Sequence, residues 1–523
     1  MPSPRPDFPG LPDTLPALLE RAARAFPART VTILDGRGRK EESYSFAQLH
    51  ERATTAARHW AGAGLRAGDP VVVALPTSID WCDAWLGAAC AGGLPVATAP
   101  PGGFGGGDAQ ARKIEELRTQ LDTRWAVVTP TLRPQLPDEP GLFTPDELAR
   151  ADAATPDKPN GELAFLQLTS GSTGRPRAVM ITHAGAIHNP HAIDTAIGIP
   201  HGAPTHAWAD SVVTWLPLYH DMGLVGCFLF SLYCGHDLVI MPPTVFLARP
   251  HLWLERITSR PGVLTPAPNF GYQYCVERIT KGEFDLSSWR AAMTGAEMIR
   301  PETVAAFDER YGPTGFAHEA WRPCYGLAEG TLAVTFDTRG GVRTDDDGFV
   351  CVGAPVVDTE VRCAEDGAIE ARGPGICAGY YRDEDATRAT LRDGWLRTGD
   401  IGTMRDGELF ITGRTKDVLI LRGHNVMPHE LEWEAESVTG GGGAARSAAF
   451  TVDGGAEGEQ AVIVAESNEP SEELAREIKS RVGRALGILL ADVRFVRRGR
   501  IPRTTSGKVQ RSQVKRLYET GEL

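Results

Sequence analysis

The apolar run Leu163-Ala164-Phe165-Leu166 leads directly into Leu168-Thr169-Ser170-Gly171-Ser172-Thr173-Gly174-Arg175-Pro176-Arg177. A short continuous apolar run reads as a buried strand. Two glycines, a proline and several hydroxyl residues then forbid both its continuation and an immediate helix. The chain must turn there, and a turn of this composition exposes backbone N–H groups and hydroxyls suited to phosphate oxygens. The P-loop pattern needs four residues between its glycines, followed by Gly-Lys-Ser/Thr. Here two residues separate Gly171 from Gly174, and two more separate Gly174 from Arg177. The segment therefore reads as a phosphate loop of another kind, although a Gly/Ser/Thr turn alone is more often only a turn.

The rest of the chain supplies the scaffold such a loop needs. Leu15, Leu18, Leu19, Ala22, Ala23 and Phe26 follow helical spacing behind a Thr14 cap. Val31–Leu34, Val71–Leu75 and Trp125–Val128 read as strands, and Trp81–Cys90 as a helix. Helices alternating with apolar strands predict α/β architecture, with helix-flanked, largely parallel sheets. The alternation resumes from Glu162 to about Thr335, and short strands with Gly/Asp turns between Val352 and Ile411 predict a small β subdomain. A compact tail with strands at Val418–Leu421 and Ala461–Val464 and a helix near Glu473–Leu486 predicts a separate α+β unit. The expected division is a large N-terminal domain over 1–414, its β subdomain at about 350–413, and a mobile C-terminal domain over 415–523. The Gly-rich segments Pro100–Gly107 and Gly440–Gly443 read as loops.

Composition excludes several classes. A formal net charge of −13 argues against non-specific nucleic-acid binding, but not against a nucleotide in a local basic pocket. The nine cysteines are scattered without a CxxC pair and read as reduced, mostly buried residues. Met1–Gly10 has no apolar core of a signal peptide, and the longest apolar run, Leu224–Tyr233, is too short to span a membrane. The expected location is cytoplasmic. Oligomeric state is not legible.

Further motifs follow the loop in fixed order: Trp215-Leu-Pro-Leu-Tyr-His220-Asp221-Met222-Gly223-Leu224, Gly295-Ala296-Glu297, Tyr325-Gly326-Leu-Ala-Glu329-Gly-Thr331, Trp395-Leu-Arg-Thr-Gly-Asp400, Gly413-Arg414-Thr-Lys416-Asp417 and Pro502-Arg-Thr-Thr-Ser-Gly-Lys508. This set resembles the acyl-adenylate-forming superfamily of acyl-CoA synthetases, fatty acyl-AMP ligases and adenylation domains, over the stretch from about Thr14 to Lys515. The resemblance implies an enzyme that joins a hydrophobic carboxylic acid to ATP as an acyl-adenylate and passes the acyl group to a thiol. It implies ATP and magnesium as cofactors, with CoA, or the phosphopantetheine of a carrier protein, as acceptor.

The same resemblance assigns roles. Thr169, Ser170, Gly171, Ser172, Thr173, Gly174 and Arg177 would hold the outer phosphates, Glu329 and Thr173 the magnesium ion, and Lys508 the acyl carboxylate and α-phosphate. Tyr325 and Gly326 would face adenine, with the Gly295-Ala296-Glu297 backbone lining the base pocket. Asp400 would accept from the ribose hydroxyls, beside Arg414. His220, Asp221, Met222, Gly223, Asn269 and Phe270 would line the acyl pocket, and Lys416 would be the hinge about which Gly423-His424-Asn425 swings toward the thioester site. Glycines 223, 226 and 271 lead to an expectation of room for a bulky or long acid.

Two departures from the superfamily pattern matter. Pro176-Arg177-Ala178 stands where Pro-Lys-Gly is usual, which keeps the charge but changes its geometry. The Leu-Tyr-His-Asp-Met-Gly-Leu wording resembles fatty acyl-AMP ligases, yet Val334–Cys351 is too short for the insertion by which those ligases exclude CoA. The leading expectation is transfer to CoA. The alternatives are loading of a carrier protein, thioesterification of a supplied acyl-AMP, and a catalytically silent nucleotide-binding protein.

Overall fold

The computed structural model describes residues 11–100, 107–157, 161–169, 176–198, 211–421, 424–439, 447–453, 459–503 and 509–523. Two twisted sheets organise the larger part. The first has six strands in the order Leu142–Phe143, Ala126–Val128, Pro70–Ala74, Leu94–Ala97, Leu163–Leu168, Ala178–Thr182, parallel except for the last pair. Pro70–Ala74 is buried at every position, as a parallel strand covered on both faces must be. The second sheet has nine strands. Its centre, Trp321–Gly326, Trp289–Thr294, Val263–Ala267, Ser211–Thr214, Asp237–Ile240 and Thr30–Leu34, is parallel, and its margins are antiparallel.

The helices begin where the side chains dictate. The Thr14 hydroxyl accepts from the Ala17 N–H at 3.3 Å, as its N-cap position predicts. Ser45 and Gln48 form a reciprocal capping box at the start of Phe46–Ala63. The expected helix at 81–90 is observed as Ile79–Cys90, begun by a Ser78 cap. A buried aromatic group including Trp215, Phe246, Trp253, Tyr272, Trp289, Phe307 and Trp321 fills the space beneath the nine-stranded sheet.

The expected β subdomain is a five-stranded antiparallel sheet built from Glu360–Cys363, Ala368–Arg372, Leu391–Arg392, Trp395–Arg405 and Glu408–Arg414. Beyond it, Ser447–Asp453, Glu459–Glu466 and Leu490–Val496 form a three-stranded sheet flanked by helices Pro428–Thr439, Glu472–Leu486 and Arg511–Glu519. Its two apolar clusters contain only residues from 419 onward. Polar contacts tie this tail to the larger part. Arg300 forms a buried ion pair with Glu436, which also accepts from the N–H and hydroxyl of Ser447 at 3.0 and 2.7 Å. Within the tail, Arg511 joins Glu432 at 2.6 Å and Asp417 at 3.1 Å. No described helix is long and apolar enough to cross a membrane.

Candidate functional site

Several motif residues follow the carboxyl ends of parallel strands in the two large sheets. Thr169 follows Leu163–Leu168, Trp215 follows Ser211–Thr214, Gly295 follows Trp289–Thr294, and Tyr325-Gly326 closes Trp321–Gly326. Carboxyl ends of parallel strands are where open α/β sheets leave a crevice for ligands. Two non-glycine residues there hold positive φ, Ala296 at 67° and Thr331 at 64°. Such conformations cost about 1–3 kcal/mol each and persist where surrounding contacts enforce them. For Thr331 one such contact is its hydroxyl, which donates to the Gly375 carbonyl at 2.6 Å.

Thr169 donates its N–H to the Arg177 carbonyl at 2.9 Å, and its hydroxyl accepts from the Arg177 N–H at 3.3 Å. The loop is thus closed at its base like a hairpin. Ser170, Gly171, Ser172, Thr173 and Gly174 lie outside the described residues. The Arg177 guanidinium stands 3.9 Å from Asp383 and 5.1 Å from the centre of the Tyr380 ring. The Tyr380 hydroxyl donates to Glu329 Oε1 at 2.7 Å. Glu329 is half-buried on the short turn Ala328–Gly330. A carboxylate so placed fits a hard divalent cation, which takes one or two protein carboxylates and keeps several waters.

The second cluster centres on Asp400, which is buried. Its Oδ2 accepts from the Tyr325 hydroxyl at 2.7 Å and its Oδ1 from Arg414 Nε at 2.8 Å. Burial, then the Asp400 charge, pushes the Tyr325 phenol well above its usual range, so it stays a donor. Arg414 is raised by the facing Asp400 carboxylate. Each Asp400 oxygen keeps a further lone pair, which suits a vicinal diol.

Elsewhere among the motif segments, Glu297 Oε1 accepts from the Phe270 N–H at 2.6 Å, and Asn269 Oδ1 accepts from the Arg300 N–H at 3.0 Å. Asn269 Nδ2 donates to Thr303 at 3.2 Å. His220 Nδ1 lies 2.6 Å from Asp221 Oδ1, an oxygen that also accepts from the Met222 N–H at 2.7 Å. Gln167, on strand Leu163–Leu168, donates to the Tyr219 carbonyl at 2.9 Å. Asp221 to Cys234 is helical behind a His220 N-cap, and Leu224–Leu229 within it is a π-helical stretch. The glycines do not open space as expected. A Cβ at Gly223 would lie 2.3 Å from the Pro217 carbonyl oxygen, at Gly226 2.7 Å from Leu332, and at Gly271 2.7 Å from the Trp215 ring. They allow close packing of neighbours that already fill the volume.

Lys416 is exposed, one residue beyond the Thr415 N–H that donates to Gly399 at 3.0 Å. Lys508 and Gly423 lie outside the described residues, and His424 and Asn425 belong to the strand His424–Val426. Sequence reasoning did not single out Tyr380 or Arg300. Their partners, Glu329 and Glu436, are far along the chain, and no spacing signals such pairs.

Residues 19–381 match the family described as AMP-binding enzyme. A protein of Caulobacter vibrioides that carries an acyl-CoA synthetase name is 31% identical over 98% of this chain and 96% of its own. JamA of Moorena producens, named a medium-chain-fatty-acid–[acyl-carrier-protein] ligase, is 33% identical over 70% of each chain. A solved structure from work on fatty acyl-adenylate ligases of E. coli and L. pneumophila superposes with a TM-score of 0.85 at 29% identity, covering 99% of both chains. The chain belongs to the AMP-binding enzyme family. It is an ATP-dependent ligase of the acyl-adenylate-forming class, with the α/β fold of that class.

Proposed function

We propose that the protein activates a fatty or similarly hydrophobic carboxylic acid and transfers it to the thiol of CoA. In the first step a carboxylate oxygen attacks the α-phosphorus of ATP and pyrophosphate leaves. In the second, a thiolate attacks the acyl carbon and AMP leaves. Two anions meet in the first step, so fixed positive charge and aligned donors lower its barrier. Thr169 to Gly174 and Arg177 supply donors for the outer phosphates, and Glu329 with Thr173 holds magnesium. Lys508 draws carboxylate and α-phosphate together. Asp400, with Tyr325 and Arg414 beside it, takes the ribose hydroxyls, while Gly295 to Glu297 and Gly326 line the base. His220 to Gly223 with Asn269 and Phe270 flank the acyl group. His220 is not needed as a base, because a carboxylic acid is already ionised at neutral pH. Residues 415–523 form the moving unit and Lys416 its hinge.

The observation that carries the choice of CoA is the compactness of the segment after Glu329. Strand Ala333–Phe336 runs into a turn in which Asp337 Oδ1 accepts from the N–H groups of Arg339 and Gly340 at 2.9 and 2.8 Å. A tight return follows, with Thr344 bridged to Val350 and Cys351 to Phe410. Arg343 fills the space between Asp337 and Glu408. Within this return, Phe349 packs edge-on against His429 of the tail, with ring centroids 6.0 Å apart. The Caulobacter alignment runs over 572 positions against 523 residues in this chain, so that relative carries residues without a counterpart here. The second reading, loading of a carrier protein, is favoured by the likeness to JamA. Purified protein with ATP, magnesium and a series of fatty acids is expected to release pyrophosphate and to form acyl-CoA when CoA is the sole thiol. Acyl transfer to a phosphopantetheinyl carrier but never to CoA refutes the first reading and supports the second.

A further inference from the structure

One short segment, residues 377–381, touches both halves of the phosphate apparatus. Its first residue, Cys377, donates its N–H to the Glu329 carbonyl at 2.8 Å. Its next residues pair with the strand that leaves the phosphate loop: Ala378 N–H to the Met180 carbonyl at 2.9 Å, Met180 N–H to Gly379 at 2.8 Å, and Tyr381 N–H to Ala178 at 2.8 Å. Tyr380 therefore sits opposite Val179, two residues from Arg177. Its own N–H is held by the Thr387 hydroxyl at 2.9 Å. The side chain is 5% exposed, with its hydroxyl on Glu329 Oε1 and its ring face under the Arg177 guanidinium. A phenol gives a carboxylate one directed hydrogen bond, and an aromatic face attracts a guanidinium without using its donors. Arg177 thereby keeps N–H groups for a ligand, with its Nε 3.9 Å from Asp383 Oδ2.

We propose that Tyr380 is a positioning residue for adenylation: its hydroxyl fixes the Glu329 carboxylate for the magnesium ion, and its ring holds Arg177 at the exit of the phosphate loop. The proposal rests on the reading of Glu329 as the magnesium carboxylate. It also gives the Lys-to-Arg change at 177 a physical setting, because a planar guanidinium stacks on a ring better than an ammonium does.

The test is pyrophosphate release by the full-length protein, with magnesium, ATP and fatty acid titrated separately. Y380F keeps the ring and loses the hydroxyl. Its half-saturating magnesium concentration is expected to rise roughly tenfold, the worth of one charge-assisted hydrogen bond. The KM for the acid stays unchanged, and excess magnesium restores most of the rate. Y380L loses the ring as well, and its KM for ATP rises beyond that of Y380F. In the double variant Y380F/E329D the two magnesium effects do not add, because the shorter carboxylate has already left the phenol. A magnesium dependence of Y380F equal to wild type, or full additivity in the double variant, overturns the proposal. E329Q separates the underlying reading: if its magnesium dependence is that of wild type, the assignment of Glu329 fails, whatever Tyr380 does.

Discussion

The ion pair between Arg300 and Glu436 offers a quantitative test of what holds the tail against the larger part. The side chains are 10% and 3% exposed, so solvent screens the pair little. Removing one partner of a buried pair costs about 3–5 kcal/mol, because the other charge is stranded. In Arg300→Met, Glu436 keeps its two hydrogen bonds from Ser447, so the lower end applies: about 3 kcal/mol, or roughly a hundredfold in the local opening equilibrium. The pH dependence has a fixed sign. Burial already raises the Glu436 carboxyl, with Arg300 the leading opposing influence. Without Arg300 it rises further, so the folded state binds a proton more readily than the unfolded chain does. A raised carboxyl contributes stability that is complete below its unfolded pKa and is lost as pH rises through its folded pKa. The penalty of R300M is therefore largest near pH 7 and shrinks as pH falls toward the ordinary glutamate range. A chain of this size need not unfold in two states, so opening is best read by limited proteolysis of the tail in increasing urea. R300M/E436L, which removes both charges, is expected to recover most of the loss. A single variant within about 0.5 kcal/mol of wild type at pH 7, or a penalty that ignores pH, refutes the reasoning.

Other outcomes follow from the same geometry. Gly223→Ala presses on the Pro217 carbonyl, so a melting-temperature loss corresponding to about 1–3 kcal/mol is expected, whereas Gly226→Ala meets only the end of the Leu332 side chain and costs under about 1 kcal/mol; equal losses would show that the backbone gives way as easily as a side chain. Asp400→Asn deprives Tyr325 and Arg414 of their shared charge. Its KM for ATP in pyrophosphate release is expected to rise at least tenfold with the KM for the acid unchanged, and a change confined to the acid would remove Asp400 from the nucleoside site.

Much of the scaffold was legible because it depends on local pattern. The buried run Pro70–Ala74, the Thr14 cap and the Gly/Asp-punctuated strands after Val352 declare themselves within a few residues. The candidate site was legible only as motifs in order. That Tyr325 and Arg414 share Asp400 depends on strand Trp395–Arg405 pairing with Glu408–Arg414 beside the end of Trp321–Gly326, a matter of topology. Tyr380 escaped notice for the same reason: its partner Glu329 is 51 positions away. The glycines at 223, 226 and 271 misled because a missing side chain reads alike whether it leaves a void or admits a neighbour, and here neighbours come in.

The π-helical stretch Leu224–Leu229 bears on how sequences of this family can be compared. A π turn holds an extra residue in the same axial length. A relative whose helix is α-helical throughout would present side chains after this point one position out of step with those here, by about a third of a turn. Column-by-column transfer of chain-length preference from such a relative onto Phe230–Cys234 would then compare residues that face different directions, while the columns before Leu224 would still correspond. Specificity grafts across this helix need to carry the extra residue with them.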